Sequence, residues 1–418
     1  MNAPKPHYAA SLKLPELRAF IAGVGFFSLA GRSVLVVIGF QIWKLTHSAA
    51  ALGWLGLVEA VPAISLVLFG GYVADHFERK KILLITRAVS VGCGIALTVL
   101  SMKAVSSVFP FYAVIFIAGF ARAFADPAST ALESQLVPRH LTVNASSWIT
   151  STWITCSVAG PVMIGFIFDA QGAAFSYLVV TALYAAAWLS TLMVPARPKP
   201  VQATKEPMLK SIGEGWRFVM KSQALVAAMS LDLLAVLFGG AVALLPIFAD
   251  QILHVGAKGL GLLNAAPSLG ALIITLLAMR YAPIARAGRN LLWTVVGFGV
   301  SILVFAFSRN FWLSMTALFF SGVFDGVSVV IRRSMLRLLS PEHLRGRVAA
   351  ANWIFISASN EIGAFESGMV AALIGTVPCV AVGGVLTLAV AGAVALFCPA
   401  LRALRFDERT LERVAQRE

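Results

Sequence analysis

The sequence predicts an all-α membrane protein with about twelve transmembrane helices. Of its 418 residues, 59% are apolar and only 12% are charged, whereas soluble domains carry about 25% charged residues. The apolar residues form runs of about 20, the length that an α-helix needs to cross the hydrocarbon core of a bilayer. A mean hydropathy of +0.85 leaves no room for a large water-soluble domain.

Glycine, proline and polar residues separate the apolar runs and set the limits of the predicted helices. The first apolar run is long and follows a polar segment, so we expect a transmembrane helix there and not a cleavable signal peptide. The twelve predicted spans are 18–43, 50–74, 82–102, 108–131, 144–169, 173–195, 223–250, 259–280, 290–308, 311–332, 348–373 and 377–401.

The longest connection between spans is rich in proline and basic residues and divides the chain almost in half. Four pairs of identical residues lie 203 positions apart at corresponding span ends: Gly119 and Gly322, Pro138 and Pro341, His140 and His343, and Leu141 and Leu344. Two halves of six spans have the same orientation, so we predict parallel repeats. The predicted domains are a six-helix bundle over 1–195, a cytoplasmic linker over 196–222, a six-helix bundle over 223–401 and a cytoplasmic tail over 402–418.

Lysine and arginine residues are concentrated on one side of the predicted spans. With the N-terminus in the cytoplasm, the tails and loops on that side hold 27 of the 33, and the opposite loops hold four. Positive residues mark cytoplasmic loops, so we expect a multi-pass inner-membrane protein with both termini in the cytoplasm. This distribution explains the net charge of +14 without a nucleic-acid partner. The 27 lysine and arginine residues assigned to the cytoplasmic side include Arg87 and Arg332.

Eight charged residues are predicted to lie at bilayer depth, although a charge at the centre of a bilayer costs about 2.5–3.5 kcal/mol on insertion scales. They are Arg32, Glu59, Arg122, Asp126, Asp232, Asp325, Glu361 and Glu366. Two arginines cannot neutralise six carboxylates, so some of these acids must face water or titrate. All six histidines fall in tails or loops, so carboxylates must carry any transported proton.

The segment that joins spans 2 and 3 reads Gly-Tyr-Val-Ala-Asp-His-Phe-Glu-Arg-Lys-Lys, from Gly71 to Lys81. It resembles the signature loop of the major facilitator superfamily, with His76 and Glu78 in place of a basic residue and a glycine. The form of this loop is similar to that of the branch that contains the bacterial enterobactin exporter. The resemblance implies the major facilitator fold.

The same loop implies a cytoplasmic gate that contains Gly71, Asp75, Arg79 and Lys80. We hypothesise that Arg79 pairs with Glu133, at the inner end of span 4.

A second motif, Gly160-Pro161 followed by Gly165 in span 5, resembles an antiporter motif of this superfamily. Pro161 removes a backbone donor and kinks the helix, and the glycines permit close packing. A structural kink and an antiport-specific role both remain open.

In the superfamily, spans 1, 4, 7 and 10 line a central cavity, and five of the eight charged residues fall on these spans. The resemblance therefore implies a substrate cavity, whose candidate residues are Arg32, Asp232, Glu361, Phe124 and Phe324.

Arg122 and Asp126 lie four residues apart and share a helix face. Either the pair neutralises itself so that the helix can insert, or it couples a proton to transport. Asp126 is the leading candidate for the proton site because it lies mid-span beside Pro127. Asp325, 203 residues after Arg122, is the second candidate, and Glu59 is a further one.

These observations predict a secondary transporter that exports a small amphipathic or siderophore-like molecule in exchange for protons, by rocking of two bundles. The alternatives are a lipid or lysolipid transporter, and a receptor or scaffold that transports nothing. The spans contain no Ser/His dyad, metal cluster or phosphate loop, so we expect no enzyme, cofactor or metal. The expected partners are the small-molecule substrate, protons and the bilayer, and the expected state is a monomer.

The topology can be checked with the single substitutions His47→Cys, Lys258→Cys and Gln202→Cys. An impermeant thiol reagent should label intact cells at positions 47 and 258, because both lie in outer loops. Position 202, in the linker, should react only after the membrane is permeabilised. Labelling of position 202 in intact cells would contradict the orientation.

Overall fold

The computed structural model describes residues 11–197, 208–278, 286–341 and 344–406. Helices form most of this part of the chain, and it contains no strand. The long helices are α1 (Pro15–Thr46), α2 (Ala49–His76), α3 (Arg79–Met102), α4 (Phe109–Leu136), α5 (Thr142–Leu192), α6 (Met208–Lys221), α7 (Gln223–Phe238), α8 (Gly256–Ala278), α9 (Ala287–Phe307), α10 (Phe311–Leu339), α11 (Arg345–Ile374) and α12 (Thr376–Phe397). Helices suit a bilayer because each satisfies its own backbone hydrogen bonds, for which lipid offers no partner.

Local sequence sets several of the helix ends. α1 begins at Pro15, since the first helical N–H has no intrahelical partner and proline lacks it. α1 ends at Thr46, and the next residue, His47, has a left-handed φ of 48°. At the start of α10, the Asn310 side chain accepts hydrogen bonds from the N–H groups of Trp312 and Leu313, at 2.9 and 3.2 Å.

The longest helix, α5, has 51 residues and is broken at Gly172. The φ of 76° and ψ of −177° at this position are readily adopted only by glycine. The break falls between the predicted spans 144–169 and 173–195, so α5 contains both of them.

Ten helical segments of the described residues are long and apolar enough to cross a membrane. α5 is one of these ten segments, although it is broken at Gly172. α11 carries four charged residues and is not among the ten. α7 continues through a 3₁₀ turn and a π turn as far as Ile252, which gives one segment of 30 residues. The chain is therefore a multi-pass membrane protein, and twelve spans remain a prediction.

The chain divides into two compact units, of which the first contains residues 1–47 and 58–204. In this unit α1 packs along α5, and α3 packs against both α4 and α5. A core of large apolar side chains, among them Leu17, Leu83 and Leu132, is fully or almost fully buried between these helices.

The second unit contains residues 48–57 and 205–418. Here α10 packs against α8 and α9, α9 packs against α12, and α11 packs against α6 and α7. The buried core includes Leu225, Leu291 and Met335. The first residues of α2 also belong to this unit.

The predicted linker contains a helix, α6, that packs against α11 in the second unit. Val219 of α6 is buried and Trp216 is exposed, so one face of α6 packs against the protein and another does not. Glu214 of α6 forms an ion pair with Arg347, near the start of α11. The linker is thus attached to the second unit by both apolar and charged contacts.

A close helix contact occurs at Gly119 in the first unit and at Gly322 in the second. A Cβ atom on Gly119 of α4 would lie 2.5 Å from the Glu59 carbonyl oxygen and 2.9 Å from Pro62 Cγ, both on α2. A Cβ atom on Gly322 of α10 would overlap the Pro267 backbone on α8. These residues are one of the pairs that lie 203 positions apart, and each lets its helix pack against a proline-containing neighbour.

We expect Gly322→Ala to destabilise the protein by about 1–3 kcal/mol, because an added methyl group there forces α8 and α10 apart. The matched control is Gly92→Ala in α3, where an added Cβ meets no atom within 4 Å. Alanine is the better helix former by about 1 kcal/mol, so the control should be neutral or stabilising. Thermal unfolding in detergent measures the stability of both variants. Equal melting temperatures for the two variants would contradict the close contact at Gly322.

Candidate functional site

A charged cluster in the first unit is centred on Arg122 of α4. Its Nη1 lies 2.8 Å from Glu59 Oε1 on α2, and its Nε lies 3.5 Å from Asp126 Oδ2 one turn along α4. The side chains of Arg122 and Asp126 are each 49% exposed, whereas that of Glu59 is 17% exposed. The predicted contact of Arg122 with Asp126 is therefore present, and the stronger contact is with Glu59.

Arg32 of α1 adds a second positive charge to this cluster. Its guanidinium lies 4.8 Å from the centre of the Trp153 ring on α5, which is a cation–π contact. Arg32 also interacts electrostatically with Arg122 and Glu59. The first-unit cluster, which comprises Arg32, Glu59, Arg122 and Asp126, thus contains two positive and two negative side chains.

A second charged cluster lies in the second unit and is centred on Arg332 of α10. Arg332 forms an ion pair with Asp232 of α7, and its Nη2 lies 3.9 Å from Asp325 Oδ1. The side chains of Arg332 and Asp232 are 7% and 10% exposed, whereas that of Asp325 is 45% exposed. This second-unit cluster contains one positive and two negative side chains.

A small pocket opens beside the second-unit cluster, between α7, α9 and α10. Its polar lining comes from Asp232, Asp325, Thr294 and Ser328. Phe324, predicted as a substrate contact, also lines this pocket. The carboxylate of Asp325 is half exposed and is therefore accessible to water and protons.

Two arginines that the sequence analysis counted as cytoplasmic are buried within helices. Arg332 is 6% exposed because α10 continues to Leu339, beyond the predicted end of span 10 at residue 332. The expectation that only two arginines serve six acids is therefore wrong. The signal in the sequence was the spacing of seven residues from Asp325 to Arg332, which places both on one helix face.

Arg87 of α3 is the other buried arginine, with 3% exposure. Its Nη1 donates hydrogen bonds to the Ala187 carbonyl oxygen at 3.0 Å and to Thr191 Oγ1, both on α5. Its guanidinium lies 5.6 Å from the centre of the Phe27 ring. These contacts join α1, α3 and α5, so Arg87 stabilises the packing of the first unit.

The two acids on α11 have different surroundings. Glu361 lies against Gly56 at the start of α2, where a Cβ atom would be 3.8 Å from Glu361 Oε2. Glu366 Oε2 lies 3.5 Å from the Ser367 hydroxyl. Neither contact brings these acids to the second-unit cluster.

Phe124, the other aromatic residue predicted as a substrate contact, belongs to a run of rings on α2 and α4. Its ring centre lies 5.2 Å from that of Phe120 and 5.9 Å from that of Phe69. Phe120 and Phe69 are about half exposed.

The gate residues make contacts other than the predicted ion pair. Arg79 Nη1 donates to the Ala131 carbonyl oxygen of α4 at 2.9 Å, and Glu133 accepts from Ser146 Oγ at 3.0 Å. Arg79 Nε also donates to the Ala74 carbonyl oxygen of α2 at 3.3 Å. The guanidinium thus binds main-chain oxygens near the negative ends of α2 and α4, and the Arg79–Glu133 pair is not formed. Lys80 Nζ donates to the Leu192 carbonyl oxygen at 3.1 Å.

Two other predicted gate residues, Gly71 and Asp75, lie on the last turns of α2.

The proline motif of span 5 lies in the first part of α5. Gly160 approaches α1 closely, and its carbonyl oxygen accepts a hydrogen bond from Ser33 Oγ at 3.2 Å. The backbone remains helical through Pro161, whereas the non-helical residue of α5 is Gly172. Gly165 is buried within the same helix. The motif therefore holds α1 against α5, and its predicted role in antiport is not tested by these contacts.

The first-unit cluster can be tested with a double-mutant cycle on Arg122→Ala and Glu59→Gln. Arg122→Ala removes the cation closest to Glu59 and Asp126, so it should destabilise the protein more than the double variant does. We expect an interaction energy of about 0.5–3 kcal/mol from thermal unfolding in detergent. The control is the surface pair Glu78–Lys81 at 2.9 Å, for which about 0–1 kcal/mol is expected. Additive effects at Arg122 and Glu59 would show that their contact is energetically unimportant.

Comparisons with known proteins agree with the resemblance seen in the sequence. Enterobactin exporter EntS of Shigella boydii serotype 18 is 29% identical over 339 residues, which cover 80% of each chain. EntS of Escherichia coli O139:H28 has the same identity and coverage.

Solved transporters share the fold of this chain. A POT family transporter in complex with 5-aminolevulinic acid has a TM-score of 0.73 at 10% identity and covers 92% of this chain and 96% of its own. The nucleoside transporter NupG has a TM-score of 0.68 at 16% identity and covers 94% and 100%. The family described as transmembrane secretion effector matches residues 27–416. The chain is therefore a membrane transporter of the major facilitator type, and it belongs to the transmembrane secretion effector family.

Proposed function

We propose that this chain exports a small amphipathic, siderophore-like molecule in exchange for protons. Relatives that align over 80% of the chain carry the name enterobactin exporter, which supports both the direction of transport and the class of cargo. Arg32 and Arg122 provide positive charge and Trp153 provides a flat ring, so the first unit suits an anionic, partly aromatic molecule.

We propose two six-helix bundles, over 1–195 and 223–401, joined by a cytoplasmic linker over 196–222. The break at Gly172 divides α5 into two arms, and α11 supplies the remaining span beyond the ten apolar segments. Both termini, including the tail over 402–418, lie in the cytoplasm in this proposal. Rocking of the bundles would expose the cargo site to each side of the membrane in turn.

The observation that carries the proposal is a half-exposed carboxylate in a charged cluster within the membrane helices of each unit. Asp126 is 49% exposed and Asp325 is 45% exposed. A receptor or scaffold has no need to keep such groups at bilayer depth, where each charge is costly. A transporter does, because a carboxylate that gains and loses a proton can couple the proton gradient to cargo movement.

Everted membrane vesicles provide the test, with enterobactin as the probe. Respiration acidifies the vesicle lumen, so enterobactin should accumulate there when the chain is present. One proton per cargo molecule supports about tenfold accumulation for each pH unit, and a protonophore should abolish it. Vesicles without the chain are the control. Accumulation that survives the protonophore, or that equals the control, would refute the proposal.

A further inference from the structure

We propose that Asp325 is the carboxylate that takes up the transported proton, and that Arg332 and Asp232 position it. This inference rests on the proton coupling proposed above and assigns it to the second unit. It differs from the expectation drawn from the sequence, which placed the proton on Asp126 beside Arg122.

The balance of charge distinguishes the two clusters. The first-unit cluster has two arginines and two carboxylates, so protonation of Asp126 would leave it with a net positive charge. The second-unit cluster has one arginine and two carboxylates, so protonation of Asp325 makes it neutral. Uptake of a proton is favoured where it removes a charge from a site at bilayer depth, and it is disfavoured where it creates one.

The geometry assigns the excess negative charge to Asp325. Arg332 forms its close ion pair with Asp232, and these two side chains are almost fully buried. Asp325 Oδ1 is farther from the guanidinium, at 3.9 Å, its side chain is 45% exposed, and the residue also lines the pocket. A proton can therefore reach Asp325 without breaking the Arg332–Asp232 pair. Thr294 and Ser328 line the same pocket and offer hydroxyl groups to a protonated carboxyl.

Four helices pack against α10, namely α7, α8, α9 and α11. The charged residues of these helices and of α10 itself are Asp232, Lys258, Arg289, Asp325, Arg332, Arg333, Arg337, Arg345, Arg347, Glu361 and Glu366. Arg333 is exposed, and it acts electrostatically on Arg332.

Three of the other cations lie away from Asp325 or have another partner. Next to Asp325, Gly326 packs against Ala271 of α8, which places Lys258 about 20 Å along that helix. Arg289 is exposed near the start of α9. Arg347 is paired with Glu214. Among the described contacts, Arg332 is therefore the cation that acts on Asp325 directly.

The cycle needs one proton and no other reactant. A proton from the outer side adds to a carboxylate oxygen of Asp325, and the cluster becomes neutral. Release of the same proton to the cytoplasm restores the carboxylate, while Arg332 stays bound to Asp232 throughout. Arg332 and Asp232 are thus positioning residues, because they act through Asp325.

Infrared difference spectroscopy of the purified full chain in lipid tests the assignment without any cargo. The carbonyl stretch of a protonated carboxylic acid should appear as pH falls, and Asp325→Asn should lose one such band. Asp325→Glu keeps a carboxyl group and should retain the band, which separates loss of the site from loss of folding. Asp126→Asn should also retain it. Loss of the band in Asp126→Asn, with retention in Asp325→Asn, would overturn the proposal.

Asp232→Asn tests the role of the positioning residues in the same measurement. It frees Arg332 to pair with Asp325, so the band should then appear only at lower pH than in the wild type. An unchanged titration would show that Arg332 and Asp232 do not act on Asp325.

Transport gives a second, separate test with enterobactin in everted vesicles. Asp325→Asn should reduce uphill accumulation to a ratio of about one, while downhill exchange of preloaded enterobactin stays within about twofold of the wild type. Asp126→Asn should still accumulate the probe. If the wild type does not accumulate enterobactin, the proposed cargo or coupling is wrong, and the infrared result still decides the role of Asp325. Uphill accumulation by Asp325→Asn would overturn the assignment to Asp325.

Discussion

The ion pair of Arg332 with Asp232 is the interaction on which the charge of the second unit depends. Each of these side chains alone would be a buried charge without a partner, and together they satisfy each other. The pair also determines the charge at Asp325. One guanidinium lies between two carboxylates, so one negative charge is not balanced. In the first unit, Arg32 and Arg122 face Glu59 and Asp126, and no such excess remains.

Much of the fold was predictable from the sequence because the bilayer imposes simple requirements. Apolar runs give the helices, and the break at Gly172 falls where two spans were separated in the prediction. The match of Gly119 with Gly322 indicated a corresponding place in each half, and both residues prove to be points of close helix contact. The sequence did not indicate that each faces a proline-containing helix, because a contact between helices leaves no local pattern.

The candidate site was predictable only where its residues share a helix. Arg122 and Asp126 are one turn apart, so their contact followed from spacing, whereas the partner of Glu59 depends on how α2 and α4 cross. Arg87 and Arg332 were missed because lysine and arginine near span ends usually mark cytoplasmic loops. Arg79 was expected to bind the carboxylate of Glu133, but its guanidinium donates to main-chain oxygens of Ala74 and Ala131. Contacts with main-chain oxygens depend on how the helices pack and leave no pattern in the sequence.

The excess carboxylate of the second-unit cluster has a consequence for energy conversion. If Asp325 carries the transported proton as proposed, the cluster is neutral with its proton and negative without it, so it carries charge through only one half of the transport cycle. The interior of a bacterial cell is electrically negative, so the voltage assists the outward return of the deprotonated carrier. Moving one elementary charge across 100 mV is worth about 2.3 kcal/mol. Export of an uncharged cargo would then draw on the membrane voltage as well as on the difference in pH, and it would continue when the two sides have the same acidity.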